Sequence, residues 1–132
     1  MVTIPKNVPV YDEPGGVWWI NEEGILYFIS KKDAPKTTKE ENEKQIHKLN
    51  EFFGGEKICL MPDINYIKPF TKQEREEISI QLEKIVKAMA ILSTMPLSWM
   101  VARLFLGLKP PSYPVKIFNN ETEAKKWIKQ YL

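Results

Sequence analysis

Three times along this chain a short apolar run precedes a helix-opening cap, and that alternation restricts the fold more than any other feature. Ile25-Leu26-Tyr27-Phe28-Ile29 precedes Thr38 and Glu41, and Lys57-Ile58-Cys59-Leu60-Met61 precedes Thr71 and Glu74. Val115-Lys116-Ile117-Phe118 precedes Asn120 and Glu123. In such a pair the first side chain accepts from a free N–H of the opening turn, and the acid three residues on reaches back to the cap. Strands that alternate with helices imply parallel pairing through right-handed crossovers, which is an α/β domain.

The remaining elements fit that frame. Val17-Trp18-Trp19-Ile20 lies one polar turn, Asn21-Glu22-Glu23-Gly24, before the run at 25–29, so the two form an antiparallel hairpin. The second of these strands is apolar on both faces, which calls for helices on both sides. The first helix is polar for two turns and apolar only at Ile46, Leu49, Phe52 and Phe53. It therefore starts in solvent, docks by its C-terminal half and ends at Gly54-Gly55. The second carries Ile78, Leu82 and Ile85 on one stripe, with Glu74, Glu76 and Glu77 near its positive end. Ala88-Met89-Ala90-Ile91-Leu92 suits a strand, because a helix continuing from Thr71 would lose its stripe. Its small Ala88 and Ala90 leave room for a closely packed neighbour. Pro96 opens a third helix that is apolar on nearly every side and ends at Gly107 and Pro110-Pro111. A closing helix carries Ala124, Trp127, Ile128 and Tyr131 at helical spacing. The expectation is a mixed, mostly parallel sheet of about five strands with four helices, in the order ββαβαβαβα. It occupies residues 16–132, and the proline-rich residues 1–15 form an extended N-terminal arm.

Composition narrows the function. The chain has 132 residues, enough for one core. Its 19 basic and 17 acidic residues are interspersed, so no basic patch points to nucleic acid. The lone Cys59, between Ile58 and Leu60, cannot form an internal disulfide and reads as a buried, inert thiol. A reducing, cytoplasmic setting follows from that cysteine and from an N-terminus without the apolar run of a leader. The longest apolar stretch, 97–108, is interrupted by Ser98 and Arg103 and falls short of the ~20 residues that span a bilayer, so no stable membrane insertion is expected.

The sequence holds one arrangement open to catalysis, Asp63 meeting the glutamates of the second helix as paired carboxylates, and capping explains those glutamates without it. His47 is the only histidine, lies off its helix's apolar stripe and has no cysteine near it in sequence with which to hold a metal. Gly15-Gly16 precedes a strand and matches no phosphate-binding fingerprint, and no nucleophile sits in a triad context. No cofactor and no enzymatic activity are expected. Two surfaces remain. The first is the loop containing Asp63, Asn65, Tyr66, Lys68 and Thr71, between the carboxyl end of a central strand and a helix N-terminus, where α/β sheets tend to bind ligands. The second is the third helix, with Trp99, Met100, Arg103, Leu104 and Phe105, as an apolar interface or ligand groove. A helix apolar all round needs cover, from the N-terminal arm, a second copy in a homodimer, or an apolar ligand. Its one charge, Arg103, either reaches out to solvent or pairs with an anion such as Asp63.

The element order, Leu60-Met61-Pro62-Asp63, Phe70-Thr71-Lys72-Gln73-Glu74-Arg75 and Ala102-Arg103-Leu104-Phe105-Leu106 together carry a family resemblance. So do Pro110-Pro111, Pro114-Val115-Lys116-Ile117-Phe118 and Glu123-Ala124-Lys125-Lys126-Trp127-Ile128. Over residues 16–132 the chain resembles the STAS family, and within it the SpoIIAA-like bacterial proteins related to anti-sigma-factor antagonists. The resemblance implies a non-catalytic module that binds proteins and, in some members, nucleotides or lipids. In the antagonists a serine opening the helix after the central strand is phosphorylated. Here the Asp-Ser-Ser-Gly turn is replaced by Lys68-Pro69-Phe70-Thr71, with Thr71 the only hydroxyl nearby. Two functions follow: a regulatory protein-interaction module with an unidentified partner, or a carrier or sensor of a lipid or other apolar small molecule.

Overall fold

Six strands lie side by side in the order of the chain in a computed structural model that describes residues 2–107 and 110–132. They are β1 (Tyr11–Glu13), β2 (Gly16–Ile20), β3 (Ile25–Ser30), β4 (Ile58–Asp63), β5 (Val86–Leu92) and β6 (Val115–Phe118). The helices are α1 (Lys39–Phe52), α2 (Lys72–Glu83), α3 (Pro96–Gly107) and α4 (Glu121–Ile128), with a final 3-10 turn at Lys129–Tyr131. β1, β2 and β3 pair antiparallel, and β3 to β6 pair parallel.

The sheet has one strand more than the sequence suggests, and it comes from the supposed arm. Tyr11–Glu13 pairs with Gly16–Trp18, and the Tyr11 ring stacks on Trp18 with centroids 4.2 Å apart. Three residues, two of them acidic, set between Pro9 and Pro14 show no alternation that would betray a strand. Nor does the arm reach α3: its Val2 and Val8 pack on the side of the sheet that α4 covers.

The local chemistry follows the expected caps. Thr38 with Glu41 and Thr71 with Glu74 form reciprocal capping boxes, and the Asn120 side chain accepts from the Glu123 N–H at 2.8 Å. Gly54 and Gly55 both have positive φ, and the Gly55 N–H closes on the Asn50 carbonyl at 3.0 Å, ending α1.

Each parallel strand joins at the same edge, so the right-handed crossovers lay α1, α2 and α3 on one face. α4, which follows the last strand, takes the other. There Trp19, Ile25, Tyr27, Met61, Ala88 and Ala90 meet Ala124 and Ile128, both 0% exposed. The small Ala88 and Ala90 permit that close approach. The Tyr27 hydroxyl donates to the Glu121 carboxylate at 3.0 Å, and Lys125 and Lys129 pair with Glu23 of the hairpin turn at 3.0 and 3.2 Å. Cys59 is buried on this face, where desolvation pushes its thiol pKa up.

α3 is not buried all round. Ser98, Val101 and Ala102 face inward, while Leu97, Met100 and Leu104 project into solvent.

Candidate functional site

The helices over the first face do not close onto it. α1 buries one residue, Leu49, and α2 buries none. The reason is written in α1: its first turns, Lys39 to Gln45, are polar and have nothing to bury, so only the C-terminal half docks. Ile46, Leu49 and Phe53 pack on the core, and Phe52 meets Tyr11 and Trp18 edge-on at 6.2 and 6.0 Å. The N-terminal half stands off the sheet, and beneath it lies a cavity of about 790 Å³.

Its floor is the sheet, with Trp18, Leu26, Phe28, Leu60 and Pro62. Gly16 keeps that floor flat, because a Cβ there would come within 2.6 Å of the Phe28 ring and 2.4 Å of the Ile29 carbonyl oxygen. Ile78 and Leu82 of α2 form a wall, as does Ile85 beyond its end, and Tyr66, Ile67 and Phe70 supply another from the loop after β4. The rim is charged. Lys36–Glu74 at 2.6 Å and Lys39–Glu77 at 3.6 Å join α1 and its lead-in to α2, while Lys48–Glu13 at 3.0 Å joins α1 to β1. Lys36 and the Thr71 cap bonds lower the Glu74 carboxyl to about 2. An apolar floor under a polar rim, at a volume within the ~300–1,000 Å³ usual for small-molecule sites, suits an apolar guest.

The loop from Asp63 to Thr71 divides. Asp63 and Asn65 are buried and do structural work at the strand ends. The Asp63 carboxylate accepts from the Asn65 N–H at 3.1 Å, and burial pushes its pKa up. The Asn65 Oδ1 accepts from the Thr94 N–H at 2.8 Å and the Ser98 hydroxyl at 3.4 Å, and Ser93 and Ser98 share a 2.5 Å hydrogen bond. This buried polar knot fixes the ends of β4 and β5 to the first turn of α3. Tyr66 and Lys68 line the cavity, and the Tyr66 N–H donates to the Ser30 hydroxyl at 3.0 Å. Thr71 is exposed and caps α2.

The second predicted surface is a more open groove of about 560 Å³ on the outside of α3. Trp99, Met100, Arg103 and Leu104 line it with Arg75 of α2, whereas Phe105 is half-buried and lies outside it. Arg103 does not meet Asp63: it is exposed, and Asp63 is buried against Asn65. His47 is exposed, with its Nε2 3.0 Å from Glu51. Among the described residues no group of three or more His, Cys, Asp or Glu is placed to hold a metal ion, and no helix is long and apolar enough to cross a membrane.

Sequence reasoning missed the main cavity. The signal was present in two halves: a polar start to α1, and strands β2, β3 and β4 carrying large apolar side chains on the face that α1 would have to cover.

The family model described as a domain of unknown function (DUF7793) matches residues 18–132, and the chain belongs to that family. Among curated proteins none matches. Among solved structures, an uncharacterised protein of the DUF3478 family from Shewanella loihica PV-4, with a SpoIIAA-like fold, is similar. It is 17% identical at a TM-score of 0.58, over 97% of this chain and 98% of that one. A looser likeness, with a TM-score of 0.31 and 21% identity, links 92% of this chain to 98% of a protein with unknown function from Arthrobacter sp. FB24. The fold of this chain is SpoIIAA-like.

Proposed function

We propose that the chain is a non-catalytic binding module that holds an apolar small molecule, such as a lipid chain, between the sheet and the helices α1 and α2. The observation that carries this is the cavity of about 790 Å³ floored by Trp18, Leu26, Phe28, Leu60 and Pro62. Each methylene that leaves water for such a surface contributes about 0.8 kcal/mol, so a medium-length chain binds without a dedicated polar anchor. Six of the charged side chains at the rim, Lys36 with Glu74, Lys39 with Glu77 and Lys48 with Glu13, are engaged in ion pairs that hold α1 and its lead-in in place, which favours binding over chemistry. A regulatory protein-interaction role is compatible with the site, since a guest that displaces α1 alters the outer surface. The cavity comes first because Asp63 and Asn65, two residues of the loop expected to recognise a partner, are turned to internal bonds.

Native mass spectrometry of the purified chain, with thermal shift against a series of fatty acids and alcohols, tests the proposal. Binding should strengthen with chain length up to a limit, and Ile78→Trp, which takes space from the cavity wall, should lower that limit and weaken binding while leaving a cooperative unfolding transition. A chain-length series with no shift, and no small molecule bound in the gas phase, would overturn it.

A further inference from the structure

We infer that the outer face of α3 docks on an anionic lipid surface. The inner face of this helix is accounted for by Ser98, Val101 and Ala102. The outer face carries Leu97, Met100 and Leu104 at 61%, 58% and 54% exposure, with Trp99 beside them at 37%. Four large apolar side chains on one helical face are more than a surface leaves bare by accident. The charge around them has one sign. Arg103 sits among them and Arg75 approaches from α2, and among the described residues no carboxylate lines the groove they share. Arg103 has no ion-pair partner among the described residues. Arg75 donates through one terminal nitrogen to the Phe70 carbonyl at 2.8 Å, but its buried Nε has no hydrogen-bond partner among the described residues.

The occupant must therefore be apolar and bring negative charge. A second copy laid on this face by two-fold symmetry presents the same patch back, setting arginines toward arginines with no acid to receive them. A phospholipid surface supplies both needs. Phosphates accept bidentate hydrogen bonds from guanidinium groups. Leu97, Met100 and Leu104 enter the boundary between headgroups and chains, and the amphipathic indole of Trp99 sits at headgroup level. The helix lies in the interface rather than through it, in keeping with its length of 12 residues. This goes beyond the cavity proposal and does not depend on it.

The test is co-sedimentation of the full chain with vesicles of phosphatidylcholine, with and without phosphatidylglycerol. Two arginines near an anionic surface should make binding to the mixed vesicles roughly thirtyfold tighter, with the gain lost at high salt. Brominated lipids should quench a tryptophan signal that disappears in Trp99→Phe. Arg103 and Leu104 are both at exposed positions: Arg103→Glu, a change of two charge units, should weaken binding to the anionic vesicles about thirtyfold, and Leu104→Ser about tenfold, neither changing the melting temperature. Equal affinity for neutral and anionic vesicles, or none for either, overturns the inference. So does a dimer in sedimentation velocity that Leu104→Ser dissolves, or capture of an acidic amphipathic peptide by a chain that ignores vesicles. Ile78→Trp should leave vesicle binding intact, so failure of the cavity proposal and failure of this one are separately visible.

Discussion

The two faces of one sheet are covered in opposite ways. A helix of 8 residues seals one, while helices of 14 and 12 residues together bury a single side chain over part of the other. Length does not decide cover; the pairing of helix stripe with sheet surface does. α4 brings Ala124 and Ile128 down on Ala88 and Ala90, small against medium, and nothing is left between. α1 offers polar turns to a floor of Trp18, Leu26 and Phe28, and the space stays open. The difference separates a face that holds the fold together from a face free to hold something else.

The sharpest way to break that comparison is to truncate one residue on each face. Ile128→Ala should cost about 3–4 kcal/mol in urea denaturation, because a fully packed site cannot collapse around the loss. Ile78→Ala at the cavity wall should cost less than about 1 kcal/mol, since its side chain has few partners to lose. Equal losses would mean that the cavity is filled or closed in solution. The reverse experiment enlarges a residue on each face. Ala90→Leu should cost about 1–3 kcal/mol or more by overpacking against α4, whereas Ile78→Trp should be near neutral in thermal melts.

Caps give a smaller and more local contrast. Asn120→Ala should lower global stability by about 1 kcal/mol, because α4 belongs to the cooperative core. Thr38→Ala removes a cap of the same kind, yet its effect should appear mainly as faster amide exchange in the first turns of α1, with the global transition little moved. Matching global losses would show that α1 unfolds only with the whole domain.

The smallest effect is in acid. The Glu74 carboxyl lies at about 2, below its ordinary 4.5, because Lys36 and the Thr71 cap favour its charged form. A depressed carboxylate stabilises the folded state above its unfolded value and loses that contribution as pH falls. Protection of α1 and α2 against exchange should therefore decline between about pH 4.5 and 2, and Glu74→Gln should remove the dependence. Glu23, lowered by Lys125 and Lys129, weakens in the same direction, but α4 keeps its apolar packing. Protection on that side should outlast it.

The element order was legible because its signals are local. A Thr and a Glu three residues apart announce a helix whatever lies elsewhere, and Gly54-Gly55 announces an end. β1 was not legible, since Tyr11 owes its place to a ring contact with Trp18 across a turn rather than to any pattern of its own. The polar opening of α1 was readable, as was its docking by the C-terminal half. What it leaves uncovered depends on which strand residues share the face beneath, and that is set by the register of β2, β3 and β4. The same holds for α3: its apolar character is plain in the sequence, but only the fold decides that Val101 turns inward and Leu104 outward.

The strand order has a consequence for how the chain is made. Each parallel strand from β4 to β6 pairs with the strand synthesised just before it, so the sheet can grow as residues leave the ribosome, with every crossover closing locally. α4 is the exception: its Glu121 bonds to Tyr27, 94 positions earlier. Until that helix emerges, Trp19, Ile25 and Tyr27 lack its cover, Val2 and Val8 shield only part of that face, and the nascent chain carries an adhesive apolar surface.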